Sequence, residues 1–147
     1  MIISPDDDRP APDPQTEARP RILFVDDEIA LCELATTILT DAGFEVLQAY
    51  DGAQALNCLK IRPEIDLVIS DVIMPRMDGE ELLQTLRTQR PDLKIALITG
   101  HPDIERIERL QAQDVTILLK PFDLERMARL ALAMTGSASR MEANNRL

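Results

Sequence analysis

The sequence predicts an α/β fold, a doubly wound sheet of five parallel strands alternating with five helices. Five apolar runs of strand length alternate with segments of helical period, the pattern of repeated strand-helix units. Three of the five runs are continuously apolar, and Val115 to Leu119 is interrupted only by Thr116, as strands covered on both faces are. The chain has 147 residues, 45% of them hydrophobic and 29% charged, enough for one domain with one core and too few for two. Right-handed crossovers between parallel strands leave few topologies for such an alternation.

The first strand is Ile22-Leu23-Phe24-Val25. Leu31, Leu34, Ala35, Ile38, Leu39 and Ala42 then recur at three- and four-residue steps, which gives the first helix its buried face. Gly43 sits where a left-handed cap would end that helix. The second strand, Phe44 to Ala49, is the weakest of the five. Asp51-Gly52 has the composition of a hairpin turn, but the helical period of AQALNCLK behind it makes Asp51 the N-cap of a second helix. Leu67-Val68-Ile69 is the third strand, and Glu80 to Gln89, closed by Pro91, the third helix. Ile95 to Ile98 is the fourth strand. The fourth helix spans Ile104 to Gln113, with Ile104, Ile107 and Leu110 on one face. Val115 to Leu119 is the last strand, and Asp123 caps a final helix from about Leu124 to Met134.

Residues 1–20 hold half of the ten prolines and the run Asp6-Asp7-Asp8, and they read as a disordered acidic tail. The folded unit is expected over 21–135. Residues 136–147, GSASRMEANNRL, read as a polar tail with no output domain, and nothing after Thr135 reads as a helix-turn-helix. Sixteen basic residues against 26 acidic give a net charge of −10, which disfavours binding to nucleic acid or an anionic membrane surface. Aromatic residues at 3%, with one Tyr and no Trp, argue against base- or sugar-stacking recognition. No apolar run approaches the ~20 residues of a membrane helix, and the first residues lack the order of a signal peptide. A cytoplasmic protein is expected. Cys32 and Cys58 match no zinc spacing. On opposite faces of such a sheet they would lie too far apart to bridge.

In a doubly wound sheet, chemistry collects at the carboxyl ends of the strands. Asp26-Asp27 follow the first strand, Ser70-Asp71 the third, Thr99-Gly100 the fourth and Lys120-Pro121 the fifth. Three carboxylates brought together raise a pKa or recruit a cation. An oxygen-only donor set without His or Cys suits Mg²⁺. With Lys120 and Thr99 added, the set offers a metal, an ammonium and a hydroxyl to the oxygens of a phosphoryl group. Asp71, ending the central strand beside the Asp26-Asp27 pair, is the candidate nucleophile for an aspartyl phosphate. Singly, these residues read better as helix caps, a loop carboxylate and a solvated lysine; it is their joint placement at strand ends that points to chemistry.

Four motifs, ILFVDDE, DLVISDVIMPRMDGEELL, IALITGH and LLKPF, make the chain recognisable over Arg21 to about Thr135. It resembles the receiver (REC) domain of bacterial two-component response regulators, of the stand-alone CheY-like kind. The resemblance implies a flavodoxin-like (βα)5 fold with strand order 2-1-3-4-5. It also implies Mg²⁺, or alternatively Mn²⁺, held directly by Asp27, Asp71 and the backbone carbonyl of Ile73, and through water by Asp26. Asp71 would be the phosphoacceptor. Lys120 would contact the phosphoryl group, Thr99 would swing in to hydrogen-bond it, and Gly100 would leave room and offer its N–H. The Lys120-Pro121 bond would be cis. The implied activity is Mg²⁺-dependent transfer of a phosphoryl group from a phosphohistidine on a sensor histidine kinase or histidine phosphotransfer protein, followed by hydrolysis. That makes the protein a phosphorylation switch or phosphorelay intermediate rather than an enzyme, acting through protein contacts at helix four, strand five and helix five. It would be a monomer or a phosphorylation-dependent homodimer.

Two features depart from that pattern. Ile117 stands three residues before Lys120, where the family usually has Tyr or Phe, and packs as core without a hydroxyl. The connection from Thr99 to Lys120 is slightly short, with Gln113-Asp114 in place of a glycine turn, so the fourth helix is expected to be abbreviated. His101, two residues past Thr99, is placed to tune dephosphorylation, or is a loop histidine with no role. Met74 and Met77 read as loop packing. Two other readings compete. A phosphatase of the haloacid dehalogenase type needs a second Asp two residues after the nucleophile, where this chain has Ile73. A receiver-fold interaction module that is never phosphorylated would not require every acidic, hydroxyl and lysine position at the site.

Overall fold

The computed structural model describes residues 19–100, 103–113 and 115–136. The chain alternates strand and helix throughout: β1 (Arg21–Val25), α1 (Ile29–Asp41), β2 (Glu45–Ala49), α2 (Gly52–Ile61), β3 (Leu67–Asp71), α3 (Gly79–Gln89), β4 (Lys94–Thr99), α4 (Ile104–Gln111), β5 (Thr116–Leu119) and α5 (Leu124–Thr135). The five strands form one parallel sheet in the order β2-β1-β3-β4-β5. This is the expected (βα)5 arrangement.

Inside the continuously apolar strands a period of two still sorts side chains between faces. Leu23, Val25, Val68, Ile95 and Leu97 pack under α2, α3 and α4. Ile22, Phe24, Leu67, Ile69, Ala96 and Ile98 pack under α1 and α5. Each fully buried Leu, Ile or Phe contributes roughly 1.5–3 kcal/mol, so both layers hold the sheet. The two cysteines are free and fall on opposite faces, Cys32 within the α1 layer and Cys58 against the other.

Four helices start on an aspartate whose side chain takes a free backbone N–H of the first turn. Asp51 accepts from Gln54 N at 2.7 Å, Asp78 from Glu81 N at 2.9 Å, Asp103 from Arg106 N at 3.1 Å and Asp123 from Glu125 N at 3.0 Å. The Asp78 cap starts α3 at Gly79, one residue before the expected Glu80. α1 starts on Glu28 without a side-chain cap. Gly43, at φ 104°, takes the left-handed conformation expected past the end of α1.

Three details differ from expectation. Leu34 is 49% exposed, and Cys32 takes its place in the buried stripe with Ala35 and Leu39. Ile104 is 68% exposed, so Leu110 is the one fully buried residue of α4, which ends at Gln111 rather than Gln113. Pro20, expected in the disordered segment 1–20, accepts from Glu45 N at 3.0 Å and lengthens the pairing of β1 with β2. The rest of the expected tails, 1–18 and 137–147, lies outside the described residues, as do His101, Pro102 and Asp114.

Candidate functional site

β1 is paired with β2 on one side and β3 on the other, so the chain reverses its winding between β1 and β3, where a doubly wound sheet opens its crevice. Val25 lies opposite Ser70 and Asp71 opposite Ile98. This register sets Asp26, Asp27 and Asp71 side by side, and one carboxylate oxygen from each lies within 4.8 Å of the others. Thr99 pairs with Leu119, and Lys120 N donates to Thr99 O at 2.8 Å. The lysine side chain thereby reaches back, and its Nζ donates to Asp71 Oδ2 at 3.1 Å. The Lys120-Pro121 peptide is cis. An open cavity of about 400 Å³ is lined by Asp27, Asp71, Ile73, Gly100 and Lys120.

The three carboxylates are not equivalent. Asp27 is exposed and Asp71 buried beneath it. Asp71 Oδ1 accepts from Ile73 N at 3.1 Å while Oδ2 takes the lysine. Asp26 is 1% exposed; its Oδ1 accepts from Glu28 N at 2.9 Å, and Oδ2 has no hydrogen-bond partner among the described residues. Burial, reinforced by the charges of Asp71 and Asp27, outweighs the Glu28 N–H and Lys120 and pushes Asp26 from 3.8 up to about 6. Burial pulls the Lys120 ammonium down, but the hydrogen bond and charge of Asp71, then Asp26 and Glu28, raise it above 10.5. Lys120 is therefore a fixed positive charge at neutral pH.

A cluster of carboxylate oxygens, one of them buried and unpartnered, fits a hard divalent cation better than any arrangement of neutral groups. The donor set is all oxygen, with no thiol or imidazole among its three residues, which suits Mg²⁺ or Mn²⁺.

Glycine is required where the start of α3 meets the end of β3. A Cβ on Gly79 would lie 2.4 Å from Asp71 O and 2.8 Å from Val72 Cα, and Gly79 N donates to Val72 O at 2.7 Å. Gly79→Ala is expected to cost about 1–3 kcal/mol in urea denaturation by forcing backbone apart. It should also weaken Mg²⁺ binding, because the backbone that moves carries Asp71. At Gly100 a Cβ would make ordinary contact with Lys120, nearest atom 3.5 Å away, so there is room at this position. Met74 is buried and Met77 packs beside it and over Gly52, as expected of loop packing. Ile117 packs, half-buried, against the layer under α2, α3 and α4.

Some neighbours are invisible to strand-end reading. Glu28, Leu31, Phe122 and Leu124 join Lys120, Gly100 and Pro121 around a second, apolar cavity of about 540 Å³ beside the site. Cys32 Sγ donates to Asp26 O at 3.3 Å, and burial pushes that thiol up to about 11. The cavity lies between the start of α1 and the connection from β5 into α5, and the thiol contact follows from α1 packing beside β1.

A sequence profile described as "Response regulator receiver domain" matches residues 22–131. The chain belongs to the response regulator receiver domain family. Among curated proteins it is 36% identical over 109 residues to the sensor kinase CckA of Brucella abortus, covering 73% of this chain and 12% of CckA. It is 39% identical over 109 residues to the response regulator MprA of Mycobacterium avium, covering 73% of this chain and 47% of MprA. The chain thus spans less than half the length of these relatives. Among solved structures, a response regulator receiver protein from Pseudomonas putida superposes with a TM-score of 0.73 at 30% identity, covering 77% of this chain and 95% of that one. The Asp26, Asp27 and Asp71 cluster with the Lys120–Asp71 ion pair matches the phosphorylation and metal site of receiver domains. Among the described residues, no helix is long and apolar enough to cross a membrane.

Proposed function

We propose that this receiver domain, spanning 21–135, accepts a phosphoryl group on Asp71 from a phosphohistidine of a sensor histidine kinase or histidine phosphotransfer protein in the cytoplasm. The observation that carries the reading is the Asp71 carboxylate, shared between Lys120 Nζ and the Ile73 N–H at the floor of an open cavity. An Asp71 oxygen attacks phosphorus, the P–N bond breaks, and the leaving imidazole takes up a proton from solvent. Asp27 and Asp71 directly, Asp26 through water and the Ile73 carbonyl would hold Mg²⁺ or Mn²⁺. When bound, the ion supplies positive charge against the phosphoryl oxygens. Lys120 would supply a second positive charge, and Thr99 and Gly100, beside it at the strand ends, a hydroxyl and an N–H. Because those contacts exist only with the phosphoryl group present, they shift the equilibrium between conformations. His101 is proposed to tune the lifetime of the acyl phosphate from two residues past Thr99.

Intact mass after incubation with acetyl phosphate tests the reading. The chain is expected to gain about 80 Da, one phosphoryl group, with Mg²⁺ and nothing once the metal is chelated. No gain, with beryllofluoride also failing to bind, would sink the phosphoacceptor role and favour a fold used only for contact.

A further inference from the structure

α4 is held differently from the other helices. α1, α2, α3 and α5 each bury three or four residues; of the eight in α4 only Leu110 is buried. Charge holds it instead. Arg106 spans two carboxylates at the start of α3, with Nε on Glu80 Oε2 at 3.0 Å and Nη2 on Asp78 Oδ2 at 3.1 Å. Arg109, one turn on and on the same face, places Nε on Glu80 Oε1 at 2.9 Å and Nη2 on Oε2 at 3.2 Å. Glu80 is sheltered, its side chain 14% exposed, and the hydrogen bond from Arg109 holds its carboxyl below the usual range.

Asp78 is where this clasp meets the site. Its Oδ1 caps α3 while Oδ2 takes Arg106. The next residue, Gly79, bonds Val72 and abuts the carbonyl of Asp71. The segment from Asp71 to Gly79, with Ile73 N on Asp71 Oδ1, is therefore a closed loop pinned at its far end by α4.

We propose that Arg106 is a positioning residue for the Asp71 site: through Asp78 it fixes the loop that carries Ile73, and the same contact ties the placement of α4 to that loop. Linkage is reciprocal, so whatever orders the loop orders α4. The inference deepens the phosphoacceptor reading, and only its metal-binding arm rests on that reading.

Hydrogen exchange on the metal-free full chain tests it with Arg106→Gln, Arg106→Lys and Asp78→Asn, the last keeping a cap oxygen but not the charge. Arg106→Gln and Asp78→Asn are expected to speed exchange both in 72–79 and in 104–111 while β1 and β3 stay protected. Faster exchange in 104–111 alone would overturn the positioning role and leave a simple brace. Calorimetric titration with Mg²⁺ should show Kd weakened on the order of threefold or more in Arg106→Gln, with part of the loss restored in Arg106→Lys. Equal Mg²⁺ affinity in wild type and Arg106→Gln overturns the inference. Wild type failing to bind Mg²⁺ while exchange still changes in both segments overturns the Asp71 reading and supports the clasp.

Discussion

Asp71→Asn is expected to abolish phosphoryl uptake from acetyl phosphate, with no mass gain at any Mg²⁺ concentration, while the protein remains folded. The amide is nearly isosteric and keeps an oxygen for the Ile73 N–H, now at 3.1 Å from Asp71 Oδ1. It loses the nucleophilic charge, so the loss is of chemistry and not of shape. It also removes one of three clustered carboxylates, so Mg²⁺ affinity should fall as well. Lys120 would keep its charge but lose the anion it donates to at 3.1 Å. Removing that charge takes away part of what raises Asp26 and also part of what holds Lys120 charged, so its two effects on the stability of the metal-free protein oppose each other. A mass gain that persists in Asp71→Asn would move the acceptor to another residue. Loss of uptake together with loss of cooperative unfolding would instead mark Asp71 as structural.

Much of this site is legible in the sequence because it lies at strand ends, and strand ends are where apolar runs stop. Val25 to Asp26 and Ile69 to Asp71 are abrupt changes of polarity, and parallel pairing with short connections leaves little freedom in how those ends align. The order β2-β1-β3-β4-β5 brings together what the runs mark, and the alternation of Leu23 and Val25 with Ile22 and Phe24 is hidden within a run that is apolar on both faces. Helix faces are less certain. Leu34 is one of the periodic apolar positions of α1 but turns outward, because it lies about 200° round the helix from Cys32, on the far side from the buried stripe of Cys32, Ala35 and Leu39. Contacts between helices are not periodic at all. Arg106 and Arg109 at a spacing of three announce a common face, but only the three-dimensional placement of α3 shows Asp78 and Glu80 opposite them. Ion pairs between separate elements leave no spacing to read.

Asp26 makes the metal-free protein less stable as pH rises from about 4.5 to about 7, and Asp26→Asn should remove that dependence. Burial raises its pKa to about 6, so a native state with Asp26 protonated is preferred. The stabilisation is complete below the unfolded-state value near 3.8 and is lost as pH passes through about 6. That rise from 3.8 to about 6 is worth on the order of 3 kcal/mol. Glu45, Glu64 and Glu80, all lowered by arginine partners, act in the opposite sense, but their contribution is lost below the ordinary carboxylate range, outside this window. Lys120, raised above 10.5, stays charged throughout it. Asn keeps the acceptor for Glu28 N and places no charge in the pocket where Asp26 Oδ2 lacks a partner. In urea denaturation with chelator at pH 7.5, Asp26→Asn should therefore exceed wild type by about 2 kcal/mol, with the curves converging toward about pH 4.5. Saturating Mg²⁺ should reverse the order, because binding to the folded state alone adds about 2.7 kcal/mol at a hundredfold excess over Kd and the variant binds less. Parallel pH curves for the two proteins would mean that the buried carboxylate is satisfied without a cation, and that its strain is not what holds the site ready for one.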